Sequence, residues 1–492
     1  MKAYEHRAIG DEATGGALVD VASGSPTQHF FLRHGDVIAL SGDFFLADPG
    51  PDVAPGPSGL FDLAGIPGDR GLAPGTRDEV ICALKVMAVD EDVSDARFEE
   101  GGEFADLELS PAAARTDVER RVRDRFLALA AANADHFVSP WGDESVETTV
   151  PKVSRYGSAP AAYRLLHSAA LDEACRLGRL GGDLSRAMAR EAAAQHYLTD
   201  AFASGHLRTP IAAIRRFWHD RYPAFWESLK CKIAADTASA LREVARPLRV
   251  VPRRTLYDRT LTAVRARTSE FPPVSLGDLL GRVFHDWDND HGLLLDNGEM
   301  LFGDGHVDEG VGRRMAVAAV RAGNDDVEVA YGLGRSGSML RGEPLYAMVR
   351  EATGAGPDMF RAEALLPRPS PDNPPLNWRA HDVDELWSAP IAGSSGTTVG
   401  SAIGAVLEVG GEVSRRLDCL GQGIVEAFDV VNVPVLRGWM AKKACQAYHQ
   451  GFIECLARDP RGSVTAVVAT AGRPAWWQYP VGTPLGGVTR AA

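Results

Sequence analysis

The stretch Gln195-His196-Tyr197-Leu198-Thr199-Asp200-Ala201-Phe202-Ala203-Ser204-Gly205-His206 decides how this chain is read. It lies at the end of a helix expected from Asp183 to Ser204, which opens on a capping residue and closes at Gly205. His196 and Asp200 stand four positions apart, so both side chains fall on one helical face, about 6 Å apart at Cβ. His206 follows Gly205, where a chain reversal aims it back at the same volume. An imidazole and a carboxylate from one helix make two ligands of a metal site, and a third from the helix exit serves the same or a neighbouring ion. The same spacing also suits a core histidine beside a solvated Asp200, and spacing alone leaves both readings open.

Outward from this stretch the pattern is mainly helical. Ser110-Pro111 opens a helix that Val118, Val122, Phe126 and Leu129 carry to about Asn133. Further helices are expected from Pro160 to Leu177, from Thr209 to Val244 and, capped by Ser275 with Asp278, as far as Asp290 with Gly292 as the stop. Leu293 to Phe302 then carries Asn297-Gly298, a strong short hairpin signal. Gly332-Leu333-Gly334-Arg335-Ser336-Gly337 has phosphate-loop glycines without a Walker lysine and reads as a flexible loop. Pro367 to Asn377 is too rich in proline for helix or central strand and reads as a linker. Helix resumes over Val399 to Leu407 and Leu417 to Leu456. The expected fold is mainly α, with a small β-hairpin and a C-terminal helical extension. Its expected organisation is a catalytic region over 1–325, a connecting region over 326–380 and a helical region over 381–492.

Composition narrows the functional classes. The 492 residues include 52 Lys plus Arg against 66 Asp plus Glu, 45% hydrophobic residues, six Cys and 13 His. That balance excludes wholesale disorder, collagen-like and coiled-coil classes. A net charge of -14 argues against a chain that coats nucleic acid non-specifically. The charge is uneven, because Leu207 to Arg267 holds 14 Lys plus Arg against five Asp plus Glu. Such a stretch either faces anionic lipid head groups or nucleic acid, or is a solvated face paired with acidic neighbours. The Cys residues are scattered with no CxxC pair, and the first residues lack the apolar core of a secretory signal, so a cytoplasmic setting is expected. Leu386 to Leu407 is uncharged, but its Gly, Ser, Thr and Pro content makes it a poor membrane span.

A second cluster is Phe284-His285-Asp286-Trp287-Asp288-Asn289-Asp290-His291, with three carboxylates and two imidazoles behind Phe284. Together the two segments are similar to known proteins. His196 to Asp200 with His206 resembles the H-x3-D-x5-H motif of the zinc-dependent phospholipase C and P1 nuclease superfamily. The strings HYLTDAFASGH and FHDWDNDHGLLLDNGEMLFGDG also resemble the bacterial cytosolic phospholipase C branch and the fungal HET-C proteins. The likeness covers about residues 1 to 310, and it implies an all-helical fold with a site for two or three Zn2+ ions. The family order of ligands falls here on His6, then Asp36 or Asp43, then His136, His196, Asp200, His206 and His285. Two departures stand out. Secreted members use the free amino group of a mature N-terminal Trp, and no cleavage signal is read here. The carboxylate expected four residues after His285 is Asn289, so Asp286 or Asp288 would serve instead.

What the resemblance implies is a phosphodiester hydrolase. Asp200 would bridge two zinc ions, with His196 and His136 on one and His6 on the other, while His206 and His285 hold the remaining ion. Asp36 or Asp43 would complete a zinc shell or act as general base. The expected substrate is a phospholipid, cleaved to diacylglycerol and a phosphorylated head group, with peripheral membrane contact. A P1-type nuclease is the alternative and needs an aromatic pocket, for which Trp141, Trp218 and Trp287 are available. A HET-C-like interaction protein without catalysis is the third reading. His167, within a helix, reads as a core residue.

Overall fold

The computed structural model describes residues 1–21, 30–42, 77–92, 117–118, 121–122, 136–138, 158–268, 274–392, 394, 396–404 and 434–470. Among the described residues helices dominate, and strands are confined to two antiparallel pairs. In chain order the helices are α1 (Ala3–Thr14), α2 (His34–Leu40), α3 (Arg77–Asp92), α4 (Ala159–Leu180), α5 (Ser185–Asp200), α6 (Ser204–Arg208), α7 (Ile211–Arg221), α8 (Phe225–Val244) and α9 (Arg253–Thr268). They continue as α10 (Leu276–His291), α11 (Gly312–Arg335), α12 (Glu343–Thr353), α13 (Arg361–Ala364), α14 (Val383–Ser388), α15 (Pro434–Tyr448), α16 (Glu454–Arg458) and α17 (Pro460–Thr470). The strands are β1 (Leu18–Asp20) with β2 (Phe31–Arg33), and β3 (Leu293–Leu294) with β4 (Met300–Leu301), the latter turning at Asn297-Gly298 as expected.

Contacts divide the chain into two units. The first comprises Met1–Asp92, Arg121–Ala212 and Phe284–Pro374, and the second Val93–Arg120, Ala213–Val283 and Pro375–Ala492. In the first unit α4 starts where Ser158 Oγ accepts from Ala161 N and ends at Gly181, whose φ of 64° is the left-handed stop. This helix packs on α5 and α11, while α1 and α2 pack together and α2 reaches α5. The shared core includes Leu171, Val327, Val349 and Phe360. Burying side chains of this size contributes about 1.5–3 kcal/mol each.

Helix α5 is buried along nearly its whole length, which only small side chains permit on several faces: Ala187, Ala189, Ala192, Ala193 and Ala194 let its neighbours approach. Its polar residues are therefore buried too and must find partners. Glu191 Oε2 lies 2.6 Å from His167 Nδ1, and Asp326 Oδ2 is 3.6 Å from His167 Nε2. Gln195 Nε2 donates to Glu191 Oε1, Val320 O and Asn324 Oδ1, and its Oε1 accepts from His34 Nε2. His167 is thus a core residue, as expected. Burial works against its charge, but Glu191 and Asp326 outweigh that and lift its pKa to about 9.

Three expected elements come out differently. Asp183 to Ser204 divides into α5 and α6, and Gly205 lies inside α6 instead of ending a helix. Thr209 to Val244 divides into α7 and α8. Gly332 to Arg335 is helix, not loop: a Cβ on Gly334 would sit 2.1 Å from Cys175 O, so this glycine serves the close approach of α11 to α4. The 110–133 helix falls almost wholly outside the described residues, as does the first part of 417–456, while 434–448 is helical as expected. Pro367 to Asn377 contains no helix. No described helix is long and apolar enough to cross a membrane.

The second unit is centred on α8, which packs on α9, α15, α17 and the π-helical turn His449–Ile453. Cys231, Leu241, Leu256, Val264, Met440 and Phe452 form its core. Lys232 is fully buried there, its Nζ 2.6 Å from Asp236 Oδ2.

Candidate metal centre

All of the candidate ligands that the structure describes belong to the first unit. Helix α1 brings His6, α5 brings His196 and Asp200, α6 brings His206, and the last turns of α10 bring His285. The chain at His136–Val138 joins them, because Val138 N donates to His206 O. Gly205 makes the crossing of α6 and α10 possible. A Cβ there would lie 2.4 Å from His285 O, and Gly205 N instead donates to Asn289 Oδ1 at 2.7 Å.

Asp200 is the centre of the cluster and divides its two oxygens. Oδ1 lies 3.3 Å from His6 Nε2 and 3.4 Å from His206 Nδ1, and it accepts from the α-amino group of Met1 at 2.9 Å. Oδ2 lies 2.8 Å from His136 Nδ1 and 3.4 Å from His196 Nε2. His196 Nε2 and His136 Nδ1 are themselves 3.1 Å apart. A second focus is Asp304, with Oδ2 at 3.3 Å from His285 Nε2 and Oδ1 at 3.8 Å from His206 Nε2 and 3.0 Å from the Met1 amino group. Two groups could therefore hold a metal ion, His6 with His196 and Asp200, and His206 with His285 and Asp304, each with its ligand atoms within 4.8 Å of one another.

The ring tautomers show what these contacts are. Thr199 Oγ1 has a single proton, and where the Gln195 carbonyl at 2.7 Å takes it the oxygen accepts from His6 Nδ1, 2.7 Å away. His196 Nδ1 donates to Ile38 O at 2.9 Å, and His206 Nδ1 donates to His136 O at 3.0 Å. Each of the three rings therefore spends its proton outward and keeps the Nε2 lone pair inward. Lone pairs of His6 and His196 then face carboxylate oxygens of Asp200, and the groups already set against that carboxylate are the Met1 amino group at 2.9 Å from Oδ1 and His136 Nδ1 at 2.8 Å from Oδ2. His6 Nε2 is buried without a hydrogen-bond partner, whereas Asp200 Oδ2 has His136 Nδ1 at 2.8 Å and Asp304 Oδ1 has the Met1 amino group at 3.0 Å.

Burial and neighbouring charges move the pKa values of these groups in different directions. Burial lowers the pKa of His6, and burial together with the neighbouring His6 ring puts His196 well below the ordinary histidine value. Burial and the Met1 amino group bring His206 down to about 4. Burial opposes charge on Asp200 and Asp304, yet the Met1 amino group and the adjoining histidines hold both carboxyls well below the usual range. Neutral imidazoles beside ionised carboxylates are the forms that bind metal. For His285, Asp304 and Asp286 outweigh burial and raise the pKa to about 9.

The spacing also suits a small tetrahedral ion. Bonds of about 2.0–2.1 Å at tetrahedral angles place ligand atoms roughly 3.3–3.4 Å apart, and zinc accepts this mixture of nitrogen and oxygen. The His6, His196 and His285 distances to their carboxylates fall at that value.

The other candidates are placed elsewhere. Asp288 does not face His285: its carboxylate is buried and held by Arg208, with Nε of that guanidinium 2.9 Å from Oδ2. Asp36 is taken up by Arg7 at 2.9 Å and by the backbone N–H of Arg33. Asp43 and Trp141 lie outside the described residues. Trp218 is fully buried and donates to Trp378 O, while Trp287 stacks on His291 with ring centroids 3.6 Å apart. Asp286 accepts from His285 Nδ1 at 2.8 Å and so orients that ring.

Two groups at the centre were not anticipated from the residues, the Asp304 carboxylate, which belongs to a candidate metal group, and the Met1 amino group, which Asp200 and Asp304 keep charged against burial, its pKa raised to about 11. Asp304 stands in the FGDG string just past the β3–β4 hairpin, so the signal was on the page without a spacing rule to single it out. Glu5 ties the two together, accepting from Lys2 N at 2.9 Å and Gly305 N at 3.0 Å. Phe137 covers the centre, stacked on His206 with ring centroids 4.7 Å apart. Comparison of the chain with models of protein families, with curated proteins and with solved structures finds no match.

Proposed function

We propose that this chain is a zinc-dependent phosphodiester hydrolase of the phospholipase C type. The observation that carries the proposal is the set of proton-free imidazole lone pairs converging on the ionised carboxylate of Asp200. His6, His136, His196 and Asp200 would hold one side of the centre, and His206, His285 and Asp304 the other. Asp200, with its oxygens turned to different sets of nitrogens, supports a bridging role between ions. When bound, zinc would supply polarisation of a phosphoryl oxygen and a water acidic enough to react at neutral pH.

The protein's own residues do the rest. The first group is fully buried and positions; the second, with His285 and Asp304 part-exposed, is where an anionic phosphodiester arrives. Asp286 holds the His285 ring through Nδ1, and Nε2 lies 3.3 Å from Asp304 Oδ2 and 3.2 Å from Asn289 Nδ2. Hydrolysis breaks the bond between phosphorus and the glycerol oxygen. Water supplies the oxygen kept by the phosphorylated head group and the proton kept by diacylglycerol. The nuclease alternative has less support, because the fully buried Trp218 offers no face on which a base could stack.

A side-by-side assay of phosphatidylcholine, phosphatidylglycerol and single-stranded DNA with zinc present tests the proposal. Release of diacylglycerol is expected, with loss of turnover in His196→Ala and Asp200→Ala and helical circular dichroism retained. Turnover of DNA alone, or variants as active as the parent, would overturn it.

A further inference from the structure

The turn between α8 and α9 in the second unit, Arg246-Pro247-Leu248-Arg249-Val250-Val251-Pro252-Arg253-Arg254, has four arginines and no acid. Arg246–Val250 is a 3-10 helix. Its shape is fixed from within: Leu248 and Val251 pack against the core of the unit, and Arg242 and Arg249 donate to each other's backbone carbonyls at 2.9 and 3.2 Å. Each of those two side chains thus keeps one N–H on the turn's own backbone, and Val250 is 88% exposed at the apex. Around it Arg246, Arg249 and Arg253 are exposed and have no ion pair among the described residues, and Arg254 has only Asp258 at 3.8 Å.

One exposed valine is ordinary, and a solvated arginine is too. A rigid turn that pairs an aliphatic apex with four guanidinium groups, in a chain whose net charge is -14, is a different feature. We propose that this turn contacts the surface of an anionic phospholipid bilayer, Val250 entering the head-group boundary and the four arginines lying among lipid phosphates. Guanidinium matches phosphate in charge and in hydrogen-bond geometry, and an apolar tip gains by leaving water only where there is hydrocarbon to receive it. Nucleic acid offers phosphates but no such receptor for an aliphatic tip, and the segment has no aromatic ring on which a base could stack. The inference does not depend on the metal chemistry, and its test reads binding instead of turnover.

The test is co-sedimentation of the full chain with vesicles of phosphatidylcholine alone and of equal parts phosphatidylcholine and phosphatidylserine. Binding to the anionic vesicles only is expected, weakening as salt rises. Each arginine replaced by alanine should lower the partition coefficient about fivefold. Val250→Asp should lower it at least about tenfold with the melting temperature unchanged, since this side chain touches little of the fold. Failure to sediment with anionic vesicles overturns the proposal, as does a Val250→Asp protein that binds like the parent. So does a single-stranded oligonucleotide that displaces the vesicles and binds with the same arginine dependence but none on Val250.

Discussion

At the scale of single residues, two carboxylates near His285 have opposite duties. Asp304 faces the imidazoles of His206 and His285, whereas Asp288 neutralises Arg208. Asp304→Asn should therefore lower the bound metal and depress turnover on the order of a hundredfold or more, with little change in folding. Asp288→Ala should do the reverse, because it strands a largely buried guanidinium; about 3–5 kcal/mol of stability should be lost in a denaturant titration. Equal metal loss in both variants would contradict this division. His196 and Asp200 were legible as a pair because helical spacing alone puts them on one face. Asp288 was misjudged because three residues after His285 lies about 60° round the helix, toward Arg208. Asp304 was missed because loop residues follow no period, and its meeting with Asp200 depends on tertiary contacts that spacing does not encode.

At the scale of elements, close crossings and buried polar groups carry the consequences. Gly205→Ala would press a Cβ against His285 O, so α6 and α10 must separate. The expected cost is about 1–3 kcal/mol, together with weaker zinc retention, since His206 and His285 ride on the two displaced helices. A variant with unchanged melting temperature and zinc content would show the crossing to be soft. Between α4, α5 and α11, His167 is charged in the fold at neutral pH. With a pKa raised from 6.5 to about 9, its contribution is fully present below pH 6.5 and is lost as pH rises through about 9. Thermal melts from pH 6 to 9.5 should thus show a stability decline that His167→Gln flattens; parallel profiles for parent and variant would remove the ion cluster from the explanation. Caps and the Asn-Gly turn made α4 and the β3–β4 hairpin readable in advance. The glycines at the end of α11 misled because their use is close packing on α4, a property of the partner helix that local propensity does not reveal.

At the scale of the whole molecule, an acidic chain gathers its described candidate ligands in one unit and carries the arginine-rich turn over 246–254 in the other. The predominance of helix followed from apolar periodicity, whereas the gathering of these histidines and carboxylates into two groups that could hold a metal ion is visible only in three dimensions. What settles the function is whether the inward lone pairs are there to bind an ion. Metal analysis by mass spectrometry, on protein prepared without added zinc and again after reconstitution, addresses this directly, with Asp200→Ala in parallel. At least two zinc ions per chain are expected, one for each ligand group, with a clear loss in the variant. A chain that holds no zinc even after reconstitution, or an Asp200→Ala variant that holds as much as the parent, would contradict the assignment of these residues as a metal centre.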